Sequence, residues 1–538
     1  MSGITPDRPD LAVAMPPSQA TTLAGEALGT TGTWVDDRTG GAGAFRRALN
    51  KVFPDHWSFM IGEIALYSFI ILLLTGTYLA LFFNASSNDV VYHGSYLPLR
   101  GVPMSAAYES TIRLSYDVRA GLVIRQIHHW AALMFVAAIC VHLARVFFTG
   151  AFRKPRELNW VIGVTLLVLG IGEGFAGYSM PDDLLSGTGL RIAFSIAESI
   201  PVVGSYVAYF VFGGDFPGDA IIGRLYVIHI FLIPGILLGL ISAHLGLLWH
   251  QKHTQFAGPG RTEDNVIGSR LFPSYAAKAG GFFFLVFGVC ALLGGLAQIN
   301  PIWLYGPYQS GNVSAGSQPD WYVGWLDGAS RLMPGWEIRA FGHTIPPIFW
   351  GAVVGPGIIF TLLAVYPWLE AKVTGDRRFH NILDRPRDRP VRTSIGVGSI
   401  AFYVVLWMSG GNDVMAAIFH ISLNATTFAG RIGLLVAPPI TFAISYKICK
   451  ALQAKDREVV EHGVESGFIV MSPTGQFTEV HTNKRAVVHK PMVPVQPDYL
   501  PGLDGAPSEG PEHGLVAGSG KAVGDFFLKP QERESSQT

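Results

Sequence analysis

Two stretches of sequence decide the architecture of this chain: residues 124–145, IRQIHHWAALMFVAAICVHLAR, and residues 224–250, RLYVIHIFLIPGILLGLISAHLGLLWH. Each belongs to an apolar run longer than the roughly 20 residues that an α-helix needs to cross about 30 Å of hydrocarbon. Each also contains histidines, which are costly inside a membrane and therefore indicate a function. We interpret both stretches as membrane-spanning helices that carry a binding site.

The spacing of these histidines predicts two sites at different depths. His128 and His142 lie fourteen residues apart, and His229 and His244 lie fifteen apart. Four turns of α-helix take about 14.4 residues, so each pair returns to one helix face with a height difference of roughly 21 Å. One ion cannot bridge that distance. His129 points about 100° away from His128 and is left out of the predicted ligand set.

The composition is typical of a polytopic membrane protein. Of the 538 residues, 49% are hydrophobic and 14% are charged, and the net charge is zero. The basic residues form short clusters between apolar runs, which argues against a nucleic-acid partner and for a lipid membrane. The predicted class is all-α with eight membrane-spanning helices, near 58–84, 121–149, 158–179, 222–249, 279–298, 345–369, 393–410 and 428–450.

Arg and Lys predict how these helices are oriented, because short cytoplasmic connections carry an excess of both. Basic clusters precede the first helix, join the second to the third, follow the fourth and join the sixth to the seventh, whereas 411–427 has none. Both termini are therefore expected in the cytoplasm. The long connections 85–120, 180–221 and 299–344 are then external, and their Gly, Pro and aromatic residues predict packed structure.

The chain divides into four predicted parts. These are a cytoplasmic N-terminal tail with an amphipathic segment (1–57), a four-helix bundle that carries the histidines (58–278), a C-terminal part of four more helices (279–452) and a cytoplasmic C-terminal tail (453–538). The first 44 residues lack the apolar core of a cleaved signal peptide and are expected to be a flexible tail. The polar C-terminal tail is expected to contain one strand pair around 468–480.

The predicted topology pairs the histidines across two helices that run in the same direction. His128 and His229 share the outer level, and His142 and His244 share the inner level. Two facing imidazoles suit the two axial positions of a haem iron, which predicts two b-type haems. Since no cysteine lies in a C-x-x-C-H pattern, both haems would be bound non-covalently. A satisfied core residue or a proton relay is the alternative for any single histidine, and zinc fits less well with two ligands per level.

Glycines repeat at the same interval as the histidines. Gly62 and Gly76 on the first helix, and Gly163 and Gly177 on the third, are each fourteen residues apart. Glycine lets a flat macrocycle approach a helix backbone closely, so both pairs are expected to face the haems.

Three arginines lie near the histidines. Arg125 and Arg224 precede the outer histidines by three and five residues, and Arg145 follows His142 by three. Their guanidinium groups are candidates to pair with haem propionates, although ordinary loop bias explains Arg145 equally well.

These residues resemble cytochrome b of the cytochrome bc complexes, the respiratory quinol:cytochrome c oxidoreductases, over roughly 45–450. The four histidines, the paired glycines and the R-x-x-H and R-x-x-x-x-H contexts match the haem-binding pattern of that family. The family also has a P-E-W-Y motif at the outer quinol-oxidation site, which reads here Pro319, Asp320, Trp321, Tyr322. A loop cap is the alternative role for Asp320.

The chain departs from the family pattern beside the same site. The segment 177–187, GYSMPDDLLSG, keeps Tyr178 and Pro181 of the family's G-Y-x-x-P-W-G, but Asp182 and Asp183 replace Trp-Gly. These departures look like the actinobacterial branch, which uses menaquinol. At the inner quinone site, where the family often has a His and a Lys-Asp pair, this chain has Trp249-His250 and Lys278-Ala279.

The resemblance implies a function in the bacterial plasma membrane. Menaquinol would be oxidised at the outer site, with Asp320 and Tyr322 accepting or orienting its proton. One electron would pass to a Rieske iron-sulfur subunit and a cytochrome c subunit, and the other through both haems to quinone near the cytoplasm. A homodimeric complex and association with a terminal oxidase are also implied. Two alternatives stay open: the di-haem b anchor of a dehydrogenase or hydrogenase, and a proton-coupled transporter.

Overall fold

Helices account for most of the chain in the computed structural model, which describes residues 19–216, 218–312 and 318–482. The predicted tails before residue 19 and after residue 482 lie outside the described residues. The helices are α1 (Gln19–Thr39), α2 (Ala42–Leu49), α3 (Ile61–Ala80), α4 (Ala106–Tyr116), α5 (Gly121–Thr149), α6 (Glu157–Ser179), α7 (Leu184–Glu198), α8 (Gly204–Phe212), α9 (Ile221–Val227), α10 (Ile233–Gln251), α11 (Ala276–Leu296), α12 (Ile302–Tyr305), α13 (Trp321–Leu332), α14 (Pro347–Phe349), α15 (Gly355–Thr374), α16 (Pro390–Gly410), α17 (Asn412–Phe419) and α18 (Leu423–His462).

The strands are short and pair only in twos among the described residues. They are β1 (Val52–Phe53), β2 (Asp89–Val91), β3 (Pro103–Ser105), β4 (Gln255–Phe256), β5 (Ser269–Arg270), β6 (Ile338–Ala340), β7 (His343–Ile345), β8 (Ile382–Leu383), β9 (Val464–Met471) and β10 (Phe477–Thr482). The antiparallel pair of β9 and β10 confirms the hairpin expected around 468–480.

Eight segments of the described chain are long and apolar enough to cross a membrane, which confirms the all-α membrane prediction. They are Trp57–Ala80, Gly121–Thr149, Glu157–Ser179, Ile221–Gln251, Leu271–Leu296, Pro347–Thr374, Pro390–Gly410 and Leu423–His462. The last helix continues well past its predicted end at 450, because the polar sequence that follows, ALQAKDREVVEH, is rich in strong helix formers.

The first four spans form the bundle that positions the histidines. α3 packs along α5, and α6 packs against α5 and α10. Phe69 on α3 and Phe135 on α5 meet with ring centroids 5.8 Å apart. They belong to a buried core cluster that reaches all four spans and α13: Ala65, Phe69, Phe135, Val136, Ala138, Leu166, Leu167, Leu237 and Tyr322.

In the second half of the chain, α16 packs against both α13 and α18. The approach of α13 to α16 requires glycine, since a Cβ at Gly328 would lie 1.8 Å from the carbonyl oxygen of Leu406. Small residues permit such close helix contacts in membranes.

The three long connections are packed, as expected. They contain α4, α7, α8, α12 and α13, and Tyr92 and Tyr108 of the first connection are fully buried. The hydroxyl of Tyr108 donates to the carbonyl oxygen of Ile302, 3.1 Å away in the third connection. This bond joins two segments that are distant in sequence.

A smaller compact unit contains, among the described residues, 19–53 and 267–278. Within it β1 pairs with β5, and Phe53 stacks on Tyr275 with centroids 4.8 Å apart. Residues 19–44, which are expected to be a flexible tail, form α1 and begin α2. Alanine, leucine and glutamate in this segment favour helix despite its glycines and threonines.

Candidate functional site

The structure brings the four predicted histidines together in two pairs. The rings of His128 and His229 have centroids 6.1 Å apart and planes at 76°. Those of His142 and His244 are 6.4 Å apart at 70°. α5 supplies the first member of each pair, and the span Ile221–Gln251 supplies the second.

Both separations suit one metal atom between two imidazoles. A metal lies about 2 Å from an imidazole nitrogen and the ring centre roughly 1 Å further, so axial rings on opposite sides have centroids roughly 6 Å apart. Tetrahedral zinc needs more ligands than each level offers. Within the described part of the chain, no group of three or more His, Cys, Asp or Glu is placed to hold a metal. At each level the geometry suits one metal atom held by two imidazoles better than tetrahedral zinc.

A π-helical turn explains why the second pair is spaced by fifteen residues and not fourteen. The turn Ile228–Leu232 contains His229 and leads into α10, which has Pro234 in its first turn. A π turn closes i→i+5 hydrogen bonds and takes up more residues than an α turn. The extra residue keeps His244 on the same face as His229.

Each of the four predicted glycines faces one of the histidines. The distances from an ideal Cβ to the imidazole Cε1 are 2.4 Å from Gly177 to His229, 3.2 Å from Gly76 to His128, 3.0 Å from Gly62 to His142 and 3.8 Å from Gly163 to His244. Gly76 and Gly177 therefore belong to the outer level and Gly62 and Gly163 to the inner level. Three of the four positions have little or no room for a side chain.

Two of the three predicted arginines fit an anionic partner. Arg125 is buried and donates to the carbonyl oxygen of Asn300 at 3.1 Å, while its Nε has no partner. Nε of Arg145 is likewise buried without a partner, and its guanidinium lies 4.9 Å from the ring centre of Phe59. Neither forms an ion pair with a carboxylate of the described residues. Because an unpaired buried charge is costly, both are suited to haem propionates.

Arg224 already has partners within the chain. Its Nη1 donates to the carbonyl oxygens of Tyr209 and Phe210, near the end of α8. A guanidinium there satisfies terminal carbonyls of a helix. Its position does not require a propionate.

Asp320 directs its carboxyl group toward the helix that carries the outer histidine. Nε2 of His129 lies 3.3 Å from Oδ1 and 3.2 Å from Oδ2 of Asp320. The two side chains are only 15% and 21% exposed. Asp320 precedes α13 but its side chain makes no capping bond, so the loop-cap alternative is wrong. His129, excluded from the ligand set, contacts the motif 319–322 instead.

Tyr322 supports the same carboxyl group. It is 3% exposed, and its hydroxyl donates to Oδ2 of Asp320 at 3.2 Å. Burial, followed by the adjacent Asp320, raises the pKa of Tyr322 well above its usual value. The phenol thus stays protonated and can orient a neighbour. Pro319 and Trp321 are partly buried on either side of Asp320, and the Trp321 ring meets Tyr322 at 5.9 Å.

The segment between α6 and α7 forms a buried turn that contains two aspartates. Asp183 is fully buried and caps α7, accepting hydrogen bonds from the backbone of Leu185 and Ser186. Asp182 has a positive φ of 57°, and burial raises its pKa to about 6. The nearby Tyr178 lies within electrostatic reach of the carboxyl groups of Asp183 and Asp320. The two aspartates that replace Trp-Gly therefore shape a buried turn.

Two residues near the histidine pairs were not found from the sequence. Glu173 on α6 lies 2.9 Å from Nδ1 of His229. His253 contacts Phe59 edge-on at 4.4 Å, and burial, with a smaller effect of Arg145, lowers its pKa to about 4. His250 is exposed, whereas His253 is partly buried and contacts Phe59. Only the fold reveals these contacts.

A cavity of about 460 Å³ lies away from these groups. Its lining includes Arg153, Lys372, Arg389 and Arg392, near the start of α6 and the end of α15. None of the four histidines, nor Asp320, lines it.

Several known proteins with similar sequences carry the same name. The family described as cytochrome b (N-terminal)/b6/petB matches residues 133–307. The cytochrome bc1 complex cytochrome b subunit of Corynebacterium efficiens is 57% identical over 454 residues, 84% of this chain and 84% of that protein. The subunit so named from Mycobacterium tuberculosis is 58% identical over 458 residues, 85% of this chain and 83% of that protein. That of Streptomyces coelicolor is 55% identical over 449 residues, 83% of this chain and 82% of that protein.

A solved structure has the same fold. The chain named "Hyperthermophilic respiratory Complex III" superposes with a TM-score of 0.55 at 20% identity, over 77% of this chain and 99% of that one. The sequence relatives confirm the resemblance to the actinobacterial branch. With more than half of the aligned residues identical over most of the chain, this protein belongs to the family of cytochrome b subunits of cytochrome bc1 complexes.

Proposed function

We propose that this chain is the cytochrome b of a menaquinol:cytochrome c oxidoreductase, which oxidises menaquinol at an outer site and reduces quinone at an inner one. The family implies haem b. The observation that carries the proposal of two haems is the pair of facing imidazoles at each of two depths, 6.1 Å and 6.4 Å between centroids.

Side chains of the four-helix bundle would hold both haems. His128 and His229 would supply the outer axial ligands, and His142 and His244 the inner ones. Gly62, Gly76 and Gly177 would give the rings their space, Gly163 would line the inner level with room to spare, and Arg125 and Arg145 would pair with propionates. A bound haem supplies a one-electron carrier at its own depth. The apolar core cluster between the levels excludes water.

The motif 319–322, which contacts His129, would carry out the proton transfer. Asp320 accepts a proton from a quinol hydroxyl, and Tyr322 holds the carboxylate by donating a hydrogen bond to it. His129 contacts the same carboxylate from α5. Two groups thus fix the two carboxyl oxygens of Asp320, and fixed geometry is what a general base requires.

We also propose the orientation of the chain in the membrane and its partner subunits. An even number of spans puts the segments before the first and after the last on one side, and the Arg and Lys pattern makes that side the cytoplasm. The three cysteines lie on separate helices, so the iron-sulfur cluster that takes the other electron belongs to a Rieske subunit. A cytochrome c subunit would follow it, in a homodimeric complex that associates with a terminal oxidase.

Haem content per chain tests the proposal. We expect two b-type haems per copy of this chain in the purified complex by pyridine haemochrome assay and one in His229→Ala, with the inner spectrum kept. A chain without a haem band would instead be a transporter. Co-purification with a dehydrogenase or hydrogenase, in place of Rieske and cytochrome c subunits, would favour the membrane-anchor alternative.

Quinol oxidation tests the role of Asp320 separately. We expect Asp320→Ala to lose at least tenfold in turnover while both haems remain, since a positioned base typically contributes 10²–10⁴-fold. Asp320→Glu restores the residue of the family motif and is expected to keep most of the activity. Full turnover in Asp320→Ala would remove this residue from the mechanism.

A further inference from the structure

A carboxyl group lies behind one of the four histidines. Oε1 of Glu173 is 2.9 Å from Nδ1 of His229, and the two side chains are 17% and 15% exposed. The backbone carbonyl oxygen of Glu173 lies 3.2 Å from the same nitrogen, so the carboxyl oxygen is the nearer acceptor. A hydrogen bond at Nδ1 leaves Nε2 of His229 as the nitrogen for a metal.

The other three histidines have a different environment. Nδ1 of His128 lies 2.9 Å from Oγ1 of Thr75, a neutral hydroxyl that donates to the carbonyl oxygen of Ile71. Nδ1 of His142 and of His244 are buried, and no carboxylate of the described residues accepts a hydrogen bond from either. The outer pair therefore differs from the inner pair by one carboxyl group, which carries a negative charge when ionised, in contact with a ligand.

That charge has little compensation within the protein. Oε2 of Glu173 is buried without a hydrogen-bond partner, and no Arg or Lys of the described chain forms an ion pair with Glu173. A buried carboxylate needs a positive partner nearby. The positive group that this position can reach is the imidazole of His229 and a metal bound to it.

A carboxylate at this place has a definite effect on a metal. Hydrogen bonding of Nδ1–H to a carboxylate fixes the ring and makes the imidazole a stronger electron donor. Ferric iron has one more positive charge than ferrous iron, and electrostatic interactions are strong in a low-dielectric interior. Both effects favour the ferric state.

We propose that Glu173 is a positioning residue that orients His229 and lowers the reduction potential of the outer haem relative to the inner one. This inference rests on the proposed function. A lower potential at the outer level would favour transfer of an electron from the outer level to the inner one. Glu173 would give the transfer its direction.

Equilibrium redox titration of the purified complex, followed in the haem α-bands, tests the proposal. Glu173→Gln keeps the length of the side chain and an acceptor oxygen but removes the charge. At a fixed potential, we expect the ratio of reduced to oxidised outer haem to be at least tenfold higher than in wild type. This change corresponds to 59 mV for one electron. The inner haem should be unchanged. The matched control, Glu157→Gln at the other end of α6, should leave the outer haem unchanged.

The outcomes separate this inference from the proposed function. A Glu173→Gln complex with two b-type haems per copy of this chain and a wild-type outer potential overturns the role of Glu173 alone. A wild-type complex without two b-type haems per chain overturns the proposed function. If Glu173→Gln loses the outer haem, Glu173→Asp decides the question. An outer potential raised by the longer hydrogen bond supports the proposal, and a wild-type value overturns it.

Discussion

Gly177→Ala tests the contact between α6 and the outer histidine pair most directly. A Cβ at this position would lie 2.4 Å from Cε1 of His229 and 2.9 Å from both of its ring nitrogens. Since carbon atoms pack at about 3.5–4.0 Å, the ring must retreat by roughly 1 Å. An imidazole displaced that far no longer meets a metal that binds at about 2 Å. We expect the outer haem to be lost.

Gly163→Ala is the matched control, because the gain in helix propensity and the cost of overpacking balance differently at the two glycines. Alanine in a helix is favoured over glycine by about 1 kcal/mol, whereas overpacking costs about 1–3 kcal/mol. A Cβ at Gly163 would lie 3.8 Å from Cε1 of His244, an ordinary contact, so the helix gain prevails there. At Gly177 the cost of overpacking exceeds the gain in helix propensity. Gly62 and Gly76, at 3.0 Å and 3.2 Å, should fall between these extremes.

Haem content and the reduced-minus-oxidised spectrum measure the effect. We expect about one haem per chain in Gly177→Ala, with the inner spectrum retained, and two in Gly163→Ala. Two haems with unaltered spectra in Gly177→Ala would refute the assignment of this glycine to the outer level. Equal losses in both variants would show that helix packing in general, and not the contact with His229, is responsible.

Three further predictions concern stability of the purified complex. Burial raises the pKa of Asp182 from 3.8 to about 6, so ionisation of this carboxyl group destabilises the fold as pH rises through that range. Asparagine tolerates a positive φ and carries no charge. Asp182→Asn should therefore raise Tm at pH 8 but not at pH 4. Arg331 contacts Asp327 at 2.9 Å and Asp413 at 2.8 Å, and thermal denaturation of Arg331→Lys should show a loss of about 1–3 kcal/mol. Arg156 donates to three carbonyl oxygens and one side-chain amide oxygen, so Arg156→Lys should lower Tm, with haem absorbance as the readout.

The helices and the two histidine levels are predictable because they depend on local properties of the sequence. Apolar runs of sufficient length set the eight spans. The period of the α-helix sets the register of His128 with His142. The same period places Gly62 and Gly76 at the levels where the structure finds them. The π turn at Ile228–Leu232 is not evident from the sequence, although the interval of fifteen residues is its signature.

Contacts between distant segments are not predictable in this way. His129 and Asp320 are 191 residues apart in sequence, and only the packing of α13 against α5 brings them together. In the sequence, Glu173 is one polar residue in an apolar helix, and only the structure shows that it contacts His229. The helical extension of α18 and the helices within 19–44 were missed because propensity outweighed a polar composition there.

Two adjacent residues of α5 serve the two halves of the proposed chemistry. The helix turns about 100° per residue, so His128 faces His229 while His129 faces Asp320. On the proposed function, the first histidine belongs to the electron path and the second contacts the group that accepts the proton. A single turn of rigid, membrane-buried helix therefore fixes the distance between the two. The groups that would accept the electron and the proton of one quinol therefore lie beside different faces of one helix.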